Sequence, residues 1–333
     1  MAKIVAGMAS SHALALSEPT AWDKMRETTR ARFKARYGKE APVHPKVAEE
    51  TIEVRQERYQ RLTEGYNFFR KMLAETKPDA LILIGDDQDE QFNDQNLPQI
   101  AIYVGGDFFT TTRGADGKRR PATHHRCHSA LAQELLEGLV DREFDVAIIR
   151  SFPQDQLVAH AHAQILNYFY PESAIPVVPI FVNAIHFPAL SPRRGYRLGQ
   201  AIKEIVERRP TEERSILYAS GGLSHFTASF PWRFYDGPNT VGCISEEFDR
   251  RAINCMAQGR GEELARLSSR DLLENGDTEM ISWLVLLGAV GKVPARVFGY
   301  EPLYSGLTGM AVAYWNMEHS GAGERSHQER AQL

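Results

Sequence analysis

Ala-Ser-Gly-Gly-Leu-Ser-His-Phe, residues 219–226, is the stretch that decides the fold. It follows a short apolar run, residues 215–218, that is typical of a buried strand, and Gly221 with Gly222 allows a sharp exit from that strand. His225 is therefore expected just past a strand end, at the carboxyl edge of an open α/β sheet, where ligands collect. The pattern fits equally a histidine that acts as an acid or base and one that only caps a tight turn.

The composition is that of a globular chain with a sizeable core. Its 333 residues are 43% hydrophobic and 25% charged, with a formal net charge of -4. The three cysteines are far apart, without a CxxC pair, which argues against a disulfide framework or a zinc knuckle. There is no signal-like start and no apolar run of membrane-spanning length, so we expect a cytoplasmic protein without a membrane partner. The scattered basic residues predict no nucleic-acid partner and favour a small substrate.

Strands and helices alternate along the chain, which is typical of an α/β sheet covered by helices on both faces. Strands are expected over residues 3–8, 79–85, 100–104, 144–149, 175–183, 215–218 and 295–299, and helices over 45–77, 131–139, 195–208, 241–267 and 278–288. Pro179 should then lie at an edge or a bulge, and the long segment 105–122 should be an unstructured lid or binding loop. We predict one domain over residues 1–318 and a flexible tail over 319–333.

Polar residues cluster after the predicted strands. His12 follows the first strand, an acidic run over residues 86–90 follows the strand 79–85, and His160 is also expected after a strand. Glu279 leads into an apolar helix, where a carboxylate is costly unless something pairs with it. It fits either an acid at a helix N-terminus or a metal ligand. The histidines of residues 124–128 are interpreted as solvated residues at a helix start rather than as a metal site.

Several motifs in order resemble the LigB-type (class III) extradiol ring-cleavage dioxygenases, the family of protocatechuate 4,5-dioxygenase and gallate dioxygenases. The resemblance rests on Gly221-Gly222-Leu223-Ser224-His225, on residues 176–188 with Asn183, on Ser191-Pro192-Arg193, and on Glu279-Met280 with Trp283. It implies a central mixed sheet flanked by helices. It also implies a mononuclear non-heme Fe(II) held by two histidines and one glutamate.

The family's site residues carry over position by position. His12 matches the first histidine ligand, and Glu279 matches the glutamate ligand. The resemblance implies that His225 is the second-sphere histidine that acts as base. His160 matches the histidine of the family's Asp-His-Gly piece, altered here to Ala-His-Ala, and is implied to donate a proton.

The chain departs from the family at the second histidine ligand, where Gln88 stands. An amide oxygen is a weaker and harder donor than imidazole, so iron would be held less tightly. Asp86, Asp87 or Asp89 could compensate, as could a histidine of residues 124–128, giving an oxygen-rich site for Fe(II) or Mn(II). The contrary hypothesis is a metal site that has decayed. We carry Gln88 and Asp87 forward as candidate ligands beside His12 and Glu279.

The resemblance therefore implies Fe(II)-dependent extradiol cleavage of a catechol-type ring. Two alternatives stay open: an oxygenase of the same fold for another substrate such as an aminophenol, and a metal-poor partner subunit. The resemblance also implies a homo-oligomer, or a hetero-oligomer with a small subunit or a paralogue. The basic residues of the long loop are expected either to meet a substrate carboxylate or to be solvated; they are Arg113, Lys118, Arg119 and Arg120.

Overall fold

The computed structural model describes residues 1–13, 18–111, 121–170 and 175–318. The strands are β1 Lys3–Ser10, β2 Ala80–Gly85, β3 Ile100–Tyr103, β4 Phe108–Thr110, β5 Thr123–His125, β6 Ala147–Ile149, β7 Val177–Val182, β8 Arg214–Ser220, β9 Arg296–Leu303 and β10 Thr308–Asn316. The helices are α1 Trp22–Tyr37, α2 Ile52–Thr76, α3 Ser129–Val140, α4 Pro153–Gln156, α5 His160–Phe169, α6 Pro192–Arg208, α7 Glu246–Ala257, α8 Gly261–Leu264, α9 Ser269–Glu274 and α10 Met280–Val290. The predicted tail and the basic residues 113 and 118–120 lie outside the described part of the chain.

One mixed sheet organises the structure. Within the described residues it has eight strands in the order β6-β3-β7-β2-β8-β1-β10-β9. The neighbours β7, β2, β8 and β1 all run parallel, whereas β3 pairs antiparallel with β7 and β10 antiparallel with β1. The predicted central mixed sheet flanked by helices is confirmed. Because the four central strands are parallel, their carboxyl ends meet at one edge.

Apolar side chains cover both faces of the sheet. Along β2, Ile82 and Ile84 pack into one core cluster with residues of α3, α6 and α10. The alternate residues Leu81 and Leu83 pack into a second cluster with residues of α2 and α5. Burial on both faces explains why this strand is a continuous apolar run rather than an alternating one.

Helix α10 is buried along its whole length and packs against α6. A Cβ atom on Gly199 of α6 would lie 1.7 Å from the carbonyl oxygen of Val285 in α10, so the two backbones approach more closely than any side chain allows. This contact fixes α10, which Glu279 directly precedes, against α6. Among the described residues, no helix is both long and apolar enough to cross a membrane.

The predicted place of Pro179 is wrong. Strand β7 lies inside the sheet between β2 and β3, and Pro179 is in register with Leu83 of β2. The ladder between β7 and β3 begins at Ile180, one residue after the proline. Proline has no backbone N–H, but it precedes that ladder and removes no hydrogen bond from it.

Three other segments add detail to the predictions or correct them. The segment 105–122 is not wholly unstructured, because β4 lies in it and pairs with β5. The helical region predicted over 241–267 contains two helices, α7 and α8. Strand β10, which was not predicted, pairs with both β1 and β9.

Candidate metal centre

Residues from distant parts of the chain meet at the carboxyl edge of the central strands. His12 follows β1, Asp86 follows β2, and Glu279 directly precedes α10. The Nε2 atom of His12 lies 4.0 Å from Asp86 Oδ1 and 3.9 Å from Glu279 Oε2. All three side chains are buried, and one ligand atom from each lies within 4.8 Å of the others. We call these three residues the buried cluster.

Hydrogen bonds fix the tautomer of His12. The hydroxyl of Ser220 donates to the carbonyl oxygen of Ala161 at 2.6 Å, so its oxygen accepts from His12 Nδ1–H at 3.1 Å. The proton on Nδ1 leaves a lone pair on Nε2, which faces the two carboxylates. Burial lowers the pKa of His12 to about 4, so the imidazole is neutral at neutral pH. A neutral imidazole oriented through its other nitrogen is the form that binds metals.

The buried cluster fits a cation. Asp86 Oδ1 is buried without a hydrogen-bond partner among the described residues, and it faces the lone pair of His12 Nε2. Acceptor atoms that face each other in a dry site need a proton or a cation between them. Burial and the nearby Glu279 raise the pKa of Asp86 to about 8. Imidazole with carboxylate oxygens suits Fe(II), and a larger share of oxygen also suits Mn(II).

Glu279 accepts three hydrogen bonds. Its Oε1 accepts from His225 Nε2 and from Gln88 Nε2, each at 3.1 Å, and its Oε2 accepts from the backbone N–H of Gly222 at 2.9 Å. Burial alone would raise the pKa of this carboxyl group. The nearby imidazolium of His225, with the N–H of Gly222, outweighs burial and holds the pKa of Glu279 well below its usual range. Glu279 is therefore an anion.

The glycine pair brings the chain close to Glu279. Gly221 and Gly222 have φ angles of 133° and 61°, a region that favours glycine, and a Cβ on Gly221 would lie 3.0 Å from Glu279 Cβ. Past this turn, His225 donates from Nδ1 to the carbonyl oxygen of Leu223 at 2.7 Å. Burial lowers the pKa of His225, but the carboxylate of Glu279 raises it further, to about 9. His225 is therefore an imidazolium that donates from both nitrogens.

Gln88 lies between the two carboxylates of the buried cluster. Its Nε2 donates to Asp86 Oδ2 and to Glu279 Oε1, each at 3.1 Å. The amide thus lies where the family resemblance predicts a histidine ligand, and it links the two acidic residues.

The two neighbouring acids face other partners. Asp87 accepts backbone N–H bonds from residues 90–92 at 2.9 to 3.2 Å, so its carboxylate closes its own loop. Asp89 is exposed and pairs with Arg36 at 3.0 Å. The structure therefore places Asp86, rather than Asp87 or Asp89, in the buried cluster.

His160 opens α5 instead of following a strand, so its predicted position is wrong. Its ring lies edge-on to that of His12, with centroids 4.9 Å apart. Glu90 Oε2 accepts from the backbone N–H of His160 at 2.9 Å and from its Nδ1 at 2.7 Å. Burial lowers the pKa of His160, but Glu90 raises it to about 9. This role of Glu90 was not predicted. Its place in an acidic run after a strand was the only indication of it in the sequence.

The histidines of residues 124–128 contact residues outside the buried cluster. His124 Nε2 lies 2.7 Å from Asp107 Oδ2, and His125 Nε2 lies 3.0 Å from the hydroxyl of Thr110. His128 caps the N-terminus of α3. The compensation expected from these histidines is therefore absent from the buried cluster as described, and the prediction that they are solvated is wrong for His125, which is fully buried.

A cavity of about 310 Å³ opens onto the buried cluster, within the range of small-molecule sites of roughly 300–1,000 Å³. Gln88, His160 and His225 line it from the edge of the sheet. Helix α1 lines it through Met25, Thr29 and Arg32, which sequence analysis did not single out. Their spacing places the three on one helix face, and this was the available signal.

Comparison with known families matches residues 43–313 to the catalytic LigB subunit of aromatic ring-opening dioxygenase. The range includes Asp86, His225 and Glu279 but not His12. The matched part covers most of the chain.

Three relatives illustrate the similarity. A 2,3-dihydroxyphenylpropionate/2,3-dihydroxicinnamic acid 1,2-dioxygenase of Comamonas testosteroni is 29% identical over 163 residues, which are 47% of this chain and 46% of the relative. A gallate dioxygenase of Pseudomonas putida is 25% identical over 200 residues, 56% of this chain and 52% of the relative. A 2-aminophenol 1,6-dioxygenase beta subunit of a Pseudomonas species is 30% identical over 173 residues, 47% of this chain and 53% of the relative. The chain spans about half the length of these relatives.

Proposed function

Because the chain belongs to the family of the catalytic LigB subunit of aromatic ring-opening dioxygenases, we propose that it cleaves the ring of a catechol-type compound beside the diol, with a bound Fe(II). The observation that carries this proposal is the buried cluster, in which the imidazole of His12 and the carboxyl groups of Asp86 and Glu279 converge, and from which His12 and Glu279 line a cavity. Such a reaction belongs to the catabolism of aromatic compounds. The proposal includes a single catalytic domain over residues 1–318 and a cytoplasmic location.

The metal is assigned to His12 Nε2 and to the carboxylates of Asp86 and Glu279, with Gln88 as a fourth candidate. Asp86 replaces Asp87, whose oxygens are occupied by its own loop. A bound ferrous ion supplies Lewis acidity toward the diol and redox chemistry toward dioxygen. Mn(II) is the alternative, since the carboxylate oxygens of Asp86 and Glu279 would outnumber the imidazole nitrogen of His12 in this site.

His225 is proposed to take the diol proton at Nε2. The bond from Nδ1 to the carbonyl of Leu223 holds the ring, so Nε2 is the nitrogen left to exchange a proton at the cavity. The pKa of His225 is raised because Glu279 is anionic. When a cation neutralises that carboxylate, the pKa of His225 falls toward its ordinary value, near neutral pH, where a general base is effective.

His160 is proposed to return a proton to the substrate. Glu90 holds its Nδ1 and keeps the ring protonated, which leaves Nε2 as the donor at the cavity. Two histidines, each paired with its own carboxylate, thus lie at one cavity and divide the base and acid roles.

The test is metal content combined with oxygen uptake. We expect protein reconstituted with Fe(II) without air to hold one iron per chain and to consume oxygen when catechol is added. Asp86→Asn and Glu279→Gln should each lose iron and lower the rate by more than about 100-fold, the upper range for residues that only orient a ligand. Glu262→Gln is the matched control, because Glu262 is exposed and pairs with Arg266. Stoichiometric iron without oxygen uptake on any catechol would contradict the proposal.

A second candidate substrate class is the aminophenols, favoured by the similarity to a 2-aminophenol 1,6-dioxygenase beta subunit. Oxygen uptake with 2-aminophenol but not with catechol would select it. The same similarity supports assembly with a second, different subunit, and a homo-oligomer is the alternative. Protein that binds no metal under any loading condition would instead support a non-catalytic partner subunit.

A further inference from the structure

We propose that Arg32 of α1 binds an anionic group on the ring of the substrate, so that the protein prefers dihydroxy-aromatic acids to uncharged catechols. This inference rests on the proposed function for the position of the ring. It adds a residue that determines specificity, on an element that lies outside the sheet.

One face of α1 is turned to the cavity. Met25, Thr29 and Arg32 are four and three residues apart, so they form a stripe along one side of the helix, and all three line the cavity. Only Trp22 and Phe33 of this helix are buried. The stripe therefore faces the cavity and is not part of the buried core of this helix.

Arg32 differs from other basic residues of α1. Four of them have partners: Arg26 pairs with Asp23, Arg30 donates to the carbonyl of Ala41, Lys34 pairs with Glu40, and Arg36 pairs with Asp89. Arg32 has no hydrogen bond or ion pair with any residue in the described ranges, and it lines the cavity. An arginine that lines a cavity and has no protein partner is available to bind an anion.

The charges around the cavity favour an anion at Arg32. The carboxylates of Asp86 and Glu279 would balance a bound divalent cation, and His160 is balanced by Glu90. No carboxylate among the described residues of the lining is then left to balance Arg32. A guanidinium group binds a carboxylate through two parallel hydrogen bonds, which makes carboxylate the favoured group.

The size of the effect follows from the exposure of Arg32. A hydrogen-bonded contact between charged groups is strong when buried, but Arg32 is exposed, so solvent weakens it. We therefore expect roughly a tenfold preference for the acid over the neutral ring, at the lower end of charge-assisted contacts.

The experiment compares catechol with 2,3- and 3,4-dihydroxybenzoate, which share the diol and differ by one carboxylate. Dissociation constants are measured by calorimetry on Fe(II)-loaded protein without air, and kcat/KM is measured by oxygen uptake. The variants are Arg32→Gln, Arg32→Lys and, as a matched control on the same helix, Lys34→Gln. Lys34 is exposed, pairs with Glu40 and does not line the cavity.

We expect the wild type and Lys34→Gln to bind at least one acid about tenfold more tightly than catechol. Arg32→Gln should remove this preference and leave catechol binding unchanged, and Arg32→Lys should restore part of it. The inference is overturned if Arg32→Gln weakens the acids and catechol equally, or if the wild type shows no preference. If the acids bind through Arg32 but no oxygen is consumed, the role of Arg32 is supported and the proposed activity is refuted. If oxygen is consumed with no preference for the acids, the proposed activity is supported and the role of Arg32 is refuted.

Discussion

Ser220→Ala should destabilise the protein and weaken its metal site. The hydroxyl of Ser220 accepts from His12 Nδ1–H and donates to the carbonyl of Ala161, and it is fully buried. Alanine removes both bonds and leaves the buried Nδ1–H of His12 unpaired, whereas the carbonyl of Ala161 stays in the hydrogen-bond ladder of α5. At about 1–3 kcal/mol for the unsatisfied N–H and about 0.5–1.5 kcal/mol for the lost bond to Ala161, the free energy of unfolding should fall by about 2–4 kcal/mol.

The same strand offers a matched control. Ser215 is also in β8 and fully buried, but its hydroxyl has no hydrogen-bond partner among the described residues. Ser215→Ala removes a hydroxyl that makes no bond, so the unfolding free energy should stay within about 1 kcal/mol of the wild type or rise slightly. Urea unfolding of metal-free protein measures both variants.

The metal provides the second measurement. Without Ser220, the proton of His12 is no longer held on Nδ1, so Nε2 is less often free to bind a cation. Loss of such an orienting partner typically lowers metal affinity by about 10–100-fold, and a competition titration with Fe(II) or Mn(II) would show it. If Ser220→Ala and Ser215→Ala gave equal stabilities and equal metal affinities, our account of His12 would be refuted.

Three further predictions concern packing, acid stability and the departure from the family. Gly199→Ala should lower the unfolding free energy by about 3 kcal/mol or prevent folding, because the new Cβ would overlap Val285. Gly195→Ala in the same helix is the control, since there is room for a Cβ at this position, and urea unfolding should show equal or greater stability. Burial lowers the pKa of His162 to about 4, so the unfolded chain binds more protons than the folded protein below about pH 6.5. The contribution of His162 should therefore lower the unfolding free energy by about 2 kcal/mol between pH 7 and pH 5. The variant His162→Gln should show a smaller loss of unfolding free energy over the same pH range. Gln88→His should raise Fe(II) affinity relative to Mn(II) in a competition titration, and loss of both metal and activity would show that the amide belongs to the working site.

The sequence alone determined the architecture and most of the elements that carry the site. Continuous apolar runs such as residues 80–85 can only be satisfied by burial on both faces, and their alternation with amphipathic helices favours a sheet with parallel strands. Once parallel strands are expected, residues that follow them are expected at one edge. That is why His12 and His225 could be singled out without coordinates. Glu279 was singled out by its place before an apolar helix, and the roles of all three came from the family resemblance.

Only the tertiary structure decided which neighbouring side chains face one another. Asp86 and Asp87 are adjacent and chemically identical, yet one faces His12 and the other is bound by three N–H groups of its own loop. The pairing of Glu90 with His160 and the approach of Arg32 to the cavity likewise depend on loops and on a helix whose positions no local pattern encodes. Periodicity is a property of neighbours along the chain, whereas these contacts join residues whose separation in space is set by how the whole sheet packs.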